Sequence, residues 1–240
     1  MGVLEGKVAI VTGSGGGIGR AVAQAYAREG ATVLVNGRTE ANVDETVRLI
    51  KSAGGQALGV PGDVSKEQDC TRLVQAAVDR WGAVDVLVNN AAIAGSVAPL
   101  DKVEAAEMAR TFEINVIGPM LMYQAVLQVM RRKPAPSTSS GRAGSEPRGK
   151  IIDVSSGAGR GWAGDLPVYR VSKAALLRVS NALAAQLQNE GIEVNTVDVF
   201  ATTPMVRELG TRDSEDAALA ARMRRRVQAQ EPTPEDNTPV

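Results

Sequence analysis

Short runs that are apolar on both faces alternate along this chain with longer stretches whose apolar residues recur at helical spacing, and nothing else restricts the fold as much. Val8-Ala9-Ile10-Val11, Thr32-Val33-Leu34-Val35, Val84-Asp85-Val86-Leu87-Val88 and the runs at 150–154 and 193–197 read as strands. A further strand is expected to end at Asp63-Val64. Strands without a polar face are covered on both sides, as a parallel sheet between two helix layers requires. Helical periodicity falls at residues 18–29, 40–53, 66–81, 105–130, 168–189 and 213–230. The expected fold is therefore α/β, a doubly wound parallel sheet in three layers, and the 240 residues are read as one domain.

Two stretches break the rhythm. Residues 131–149, rich in Pro, Ser, Gly and Arg, read as a flexible surface insertion where a few residues would make the turn. Residues 231–240 form a polar tail punctuated by proline. Lysine plus arginine balance aspartate plus glutamate at 27 each, which gives no reason to expect nucleic acid or an anionic membrane as partner. The short run Arg222-Met223-Arg224-Arg225-Arg226 reads as a solvated helix face. No apolar run approaches the roughly 20 residues that cross a bilayer, and a cytoplasmic location is expected. The chain has no histidine and one cysteine, Cys70, which removes Ser-His-Asp and Cys-His catalysis and most zinc sites; no metal is expected.

Thr12-Gly13-Ser14-Gly15-Gly16-Gly17-Ile18-Gly19-Arg20 follows the first strand and opens a helix. A turn without side chains at that place lets backbone N–H groups reach a pyrophosphate, and the positive end of the helix favours the anion. The sheet is thus of Rossmann type. Thr12, Gly13, Ser14, Gly17, Ile18 and Gly19 are the expected cofactor contacts. The second strand ends at Asn36-Gly37-Arg38, where the adenosine ribose should lie. An acidic residue there would bind the 2′-hydroxyl of NAD; neutral residues followed by a guanidinium suit a 2′-phosphate. NADP(H) is expected over NAD(H), with Arg38 as its ligand and Asp63 and Val64 near the adenine.

The spaced glycines after Thr12, Asn89-Asn90-Ala91-Ala92, Asn115, Ser156 and Tyr169-Arg170-Val171-Ser172-Lys173 together resemble the short-chain dehydrogenase/reductase family over residues 5–205, with the segment around Tyr169 closest to carbonyl-reductase-type members. Four residues apart on a helix, Tyr169 and Lys173 share one face. A free phenol has a pKa near 10, so a base at neutral pH needs about three units of lowering, about 4 kcal/mol, for which the Lys173 ammonium is the expected source. The resemblance implies Tyr169 as acid/base, Ser156 as the residue that orients the substrate oxygen, and an Asn115 backbone carbonyl that holds a water linked to Lys173. Neighbouring Ser155 is the second candidate for the serine. It further implies Asn89 and Ala91 at the cofactor ribose, Asn89 also steadying the sheet, and Lys173 on the nicotinamide ribose.

Where family members carry Pro-Gly after the sixth strand, this chain reads Val197-Asp198-Val199-Phe200-Ala201-Thr202-Thr203-Pro204-Met205, so the bend over the nicotinamide is made by other residues. Thr202, with Thr203 and Met205 beside it, is the expected contact to the carboxamide side there. Residues 204–230 are the expected substrate lid, and Trp162 an expected wall of the substrate pocket. The family continues past a segment like Pro234-Glu235-Asp236 into a helix and a seventh strand, before which this chain stops. A helix-mediated homodimer is the expected assembly, with a homotetramer as the larger alternative. The activity implied is hydride transfer between NADP(H) and a carbonyl or alcohol carbon of a small molecule. The competing reading is a catalytically weak or inactive dinucleotide-binding regulatory protein.

Overall fold

A computed structural model of the chain describes residues 2–133, 147–159 and 166–199. Its strands are β1 (Val8–Val11), β2 (Thr32–Gly37), β3 (Gln56–Pro61), β4 (Val86–Asn89), β5 (Gly149–Ser155) and β6 (Ile192–Asp198). Its helices are α1 (Gly17–Arg28), α2 (Glu40–Ser52), α3 (Glu67–Trp81), α4 (Ala105–Phe112), α5 (Gly118–Met130) and α6 (Pro167–Leu187). Among the described residues the strands form one parallel sheet in the order β3-β2-β1-β4-β5-β6. The order reverses direction between β1 and β4, which opens a crevice at the strand carboxyl ends.

The pleat explains the apolar runs. Ile10, Leu34, Leu87 and Ile151 pack with α3 and α5 residues such as Leu73 and Met122 on one side. Their neighbours Ala9, Val11, Val33, Val35, Val86 and Val88 pack with Ala23 of α1 and Val43 and Ile50 of α2 on the other. Adjacent residues of a strand point to opposite faces, so both sets are apolar only because helices cover both faces. Each buried Val, Leu or Ile among them stabilises the fold by roughly 1.5–3 kcal/mol.

Two expectations are corrected. β3 ends at Pro61, so Asp63 and Val64 stand in the following loop. The helix expected over residues 105–130 is interrupted by a π-helical turn, Glu113–Ile117. Pro119, two positions into α5, brings no N–H to the place where the α pattern would direct one at the Asn115 carbonyl. Among the described residues no helix is long and apolar enough to cross a membrane. Trp162, Thr202, Thr203, the expected lid and helix within 204–230, the tail, and residues 134–146 of the insertion lie outside the described residues.

Candidate active site

The glycine loop is held from below. Gly13 has φ +64°, and a Cβ there would stand 2.7 Å from the Ala91 Cα, so the position takes only glycine without strain. Asn90 Nδ2 donates to the carbonyls of Thr12 and Gly13 at 2.9 and 3.1 Å, a buttress that the sequence reading missed. The Thr12 hydroxyl accepts from the Asn90 and Ala91 N–H groups, and Ser14 Oγ donates to the Val11 carbonyl at 2.6 Å. Both side chains are buried, so they serve the loop's scaffold. The N–H groups that remain for a ligand are those opening α1, where Gly16 has open space on the side a Cβ would take.

Around the expected adenosine end, Arg38 is exposed. Asn36 is buried and turned inward: Nδ2 donates to the Val60 and Gly62 carbonyls, both at 3.2 Å. Asp63 accepts from Ser65 N–H and Oγ at 3.0 and 2.7 Å and from Arg110 Nη2 at 2.6 Å. Burial would raise its carboxyl pKa, but the Ser65 and Arg110 hydrogen bonds outweigh burial and bring it down to about 2. The Val64 side chain is buried in the core, and its carbonyl accepts from Cys70 Sγ at 3.2 Å.

At the other end of the crevice Pro167 opens α6, its missing N–H costing nothing at a first helical position. Tyr169 therefore lies in the first helical turn, near the positive end of the dipole. Tyr169 and Lys173 are both buried, and Lys173 Nζ lies 5.7 Å from the phenol ring centroid. Nζ donates to the Val154 carbonyl at 2.7 Å, which ties α6 to β5. Ser156, just beyond β5, lies near enough to the Tyr169 phenol to lower its pKa, whereas Ser155 is buried in the strand. The structure thus brings Ser156, and not Ser155, to the phenol.

Burial raises the Tyr169 pKa, opposed by Ser156. Burial dominates, because a phenolate there would give up its hydration, and the expected lowering by Lys173 is not among the influences on the phenol. Burial also lowers Lys173, down to about 8, against the pull of Asp153 and Asp198.

Asn115 is held by three hydrogen bonds: Oδ1 accepts from Ile93 N–H at 2.8 Å, and Nδ2 donates to the Ile93 carbonyl at 2.8 Å and to Ser172 Oγ at 2.9 Å. Its side chain is therefore committed to structure, joining the segment after β4 to α6. Asn89 Nδ2 donates to Asp153 Oδ1 at 2.9 Å across the β4–β5 pair, where the two residues stand in register. Among the described residues no group of three or more His, Cys, Asp or Glu side chains is placed to hold a metal ion.

A glycine loop at a strand-to-helix turn, facing a Ser-Tyr-Lys group at the ends of neighbouring parallel strands, defines a dinucleotide-binding oxidoreductase fold. The profile of the short chain dehydrogenases matches residues 7–214. An uncharacterized oxidoreductase of Methylorubrum extorquens is 38% identical over 92% of this chain and 84% of its own. Sorbitol dehydrogenase of Cereibacter sphaeroides is 37% identical over 81% and 70% of the two chains. Among solved structures, a protein of Burkholderia xenovorans described as a short-chain dehydrogenase/reductase superposes with TM-score 0.81 at 30% identity, covering 98% of this chain and 87% of that one. A 7α-hydroxysteroid dehydrogenase in complex with NADH and a 7-oxo bile acid conjugate superposes with TM-score 0.76 at 29% identity, over 86% and 75%. The chain belongs to the short-chain dehydrogenase/reductase family. It is an oxidoreductase of that family, whose members use a nicotinamide dinucleotide on alcohol and carbonyl carbons.

Proposed function

We propose that this chain transfers hydride between NADP(H) and the carbonyl or secondary alcohol carbon of a small molecule, with Tyr169 as the acid/base. The observation that carries the reading is the buried Tyr169 phenol with the Lys173 ammonium 5.7 Å from its ring and Ser156 near enough to lower its pKa. The fit of the cofactor rests on the glycine loop, whose tight approach to Ala91 leaves backbone N–H groups at the mouth of α1. When bound, the dinucleotide supplies or accepts the hydride.

In reduction, Tyr169 donates its proton to the substrate oxygen while Ser156 donates a hydrogen bond to the same oxygen and shares its developing charge. The raised phenol pKa suits this direction, since the proton is present across neutral pH. In oxidation, Tyr169 must lose that proton first, and the Lys173 charge and the α6 dipole favour the phenolate. Asn115 fixes the π turn against α6, and its main-chain carbonyl is the group we assign to a water leading from Lys173.

Arg38 and the absence of an acid over residues 36–38 support NADP(H), with NAD(H) as the weaker cofactor. Ile117 and Met120 near the start of α5 and Val171 on α6 are exposed apolar residues, which supports a homodimer through these helices; sedimentation as a monomer at micromolar concentration would overturn it.

The test follows NADPH absorbance with ketones, quinones and β-keto compounds. Tyr169→Phe should retain NADPH binding and lose at least about two orders of magnitude in turnover. Undiminished turnover by this variant removes the mechanism. Arg38→Ala should reduce the preference for NADPH over NADH about tenfold or more, the worth of a hydrogen bond to a charged group. A preference for NADH that survives the change refutes the cofactor assignment.

A further inference from the structure

Behind the Tyr169–Lys173 pair lies a carboxylate that the mechanism so far leaves unused. Asp153 of β5 has no solvent exposure. Oδ1 accepts from Asn89 Nδ2 of β4 at 2.9 Å, and Oδ2 accepts from Tyr123 Oη of α5 and Ser180 Oγ of α6, both at 2.6 Å. Burial raises the Asp153 carboxyl above its ordinary value, opposed by the hydrogen bonds from Ser180, Tyr123 and Asn89 and by the charge of Lys173, the partners that suit an anion. α6 buries Tyr169, Lys173, Leu176 and Ser180. Their helical spacing puts them on one face, so the helix that touches the carboxylate through Ser180 carries the ammonium two turns towards its start. Lys173 Nζ, in turn, is bound to the carbonyl of Val154, the residue next to Asp153.

We propose that Asp153 is the buried counter-charge that keeps Lys173 an ammonium beside Tyr169, a positioning residue for the acid/base pair. An isolated ammonium removed from water sheds its proton unless an opposite charge accompanies it. Lys173 is buried, and the charges acting on it among the described residues are Asp153 from β5 and Asp198 from the end of β6. Asp198 stands in register with Ser155. On its own helix the titratable neighbours one turn away are Tyr169 and Arg170. The turn Gly157–Gly159 has no titratable side chain, and Glu113 of the π turn is paired with Arg110. The consequence for catalysis rests on the proposed role of Tyr169: a neutral lysine would no longer favour the phenolate.

Asp153→Asn is a suitable probe because it keeps the shape of the side chain and most of its hydrogen bonds. The amide oxygen takes the Asn89 donor, the amide N–H donates to the Tyr123 hydroxyl, and Ser180 turns its proton to the Leu176 carbonyl, already 2.9 Å away. What is lost is the charge. Selective carbon-13 labelling of the lysine side chains, with Lys173→Met to assign the signal, reads the ionisation of Lys173 directly in cofactor-free protein. The Lys173 midpoint, about 8 in the parent chain, should fall by about one unit or more in Asp153→Asn. The basic limb of the kcat profile for alcohol oxidation should move with it. An unmoved midpoint, or a uniform loss of kcat with unmoved limbs, would overturn the proposal.

The reciprocal titration guards against an Asp153→Asn chain that fails to fold. In Lys173→Met, a carboxyl-labelled Asp153 should titrate higher than in the parent by a similar amount, since coupled sites shift one another equally. An unchanged Asp153 titration refutes the coupling. A coupled pair found in a protein without turnover would uphold the counter-charge while removing the oxidoreductase mechanism, so the two readings fail separately.

Discussion

Lys173→Met exposes the conflict between holding a charge at this site and keeping the fold stable. Lys173 ionises at about 8 in the folded chain against an ordinary value of 10.5, so the fold disfavours its ammonium. The difference of about 2.5 units corresponds to about 3 kcal/mol. For a pKa lowered on folding, the stabilising contribution is complete above the unfolded value and is lost as pH falls through the folded one. The cost is therefore full below about pH 8 and fades as pH rises toward 10.5. Methionine has no ammonium to desolvate, but it gives up the hydrogen bond to Val154, worth about 1 kcal/mol. The Met chain should be more stable than the parent at neutral pH by about 1–2 kcal/mol, while losing activity. The parent should recover about 2 kcal/mol relative to it between about pH 7 and about pH 9.5. Urea unfolding of both proteins at the two pH values measures this. A difference that does not change with pH, or a Met chain that loses ground at pH 7 and holds level at pH 9.5, would refute the reasoning.

Two further outcomes follow from neighbouring geometry. Gly13→Ala places a Cβ 2.7 Å from the Ala91 Cα at a φ of +64°, and should destabilise the chain by about 2 kcal/mol and weaken dinucleotide binding, as read by chemical unfolding and by fluorescence titration with NADPH. Arg110→Ala removes one of the groups that hold the Asp63 carboxyl near 2, below its ordinary 3.8. The Asp63 contribution to stability, present above 3.8 and lost as pH falls through about 2, should then be lost at a higher pH, so acid unfolding monitored by circular dichroism should begin earlier than in the parent.

The sheet was legible in the sequence because its causes are local. Ile10 and Val11 differ in the face they bury but not in polarity, and such pairs recur in Val33-Leu34 and Leu87-Val88, so two-sided cover follows without coordinates. The glycine loop and the Tyr169–Lys173 spacing are equally short-ranged. β3 was harder to delimit: Gln56–Pro61 contains Gly59 and ends in proline, and lacks the dense β-branched character of its neighbours. The π turn at Asn115 went unread although Pro119 signals it, since a missing N–H four residues later is visible in sequence. Asn90, Asn36 and Asp153 offered no such signal; each is an ordinary polar residue until its partners are known.

The sequence by itself determined that strand, glycine turn and helix succeed one another around a phenol and an amine one helical turn apart, because chain geometry over a few residues settles those relations. The tertiary structure alone decided that Ser156 meets the phenol, that Thr12 and Ser14 turn inward, and that Asp153 and Asp198 lie within electrostatic reach of Lys173. It also decided that burial leaves the phenol protonated and the amine poorly solvated. Proton affinities are set by the water removed and by the charges that distant segments bring near, and both exist only once the chain has closed on itself.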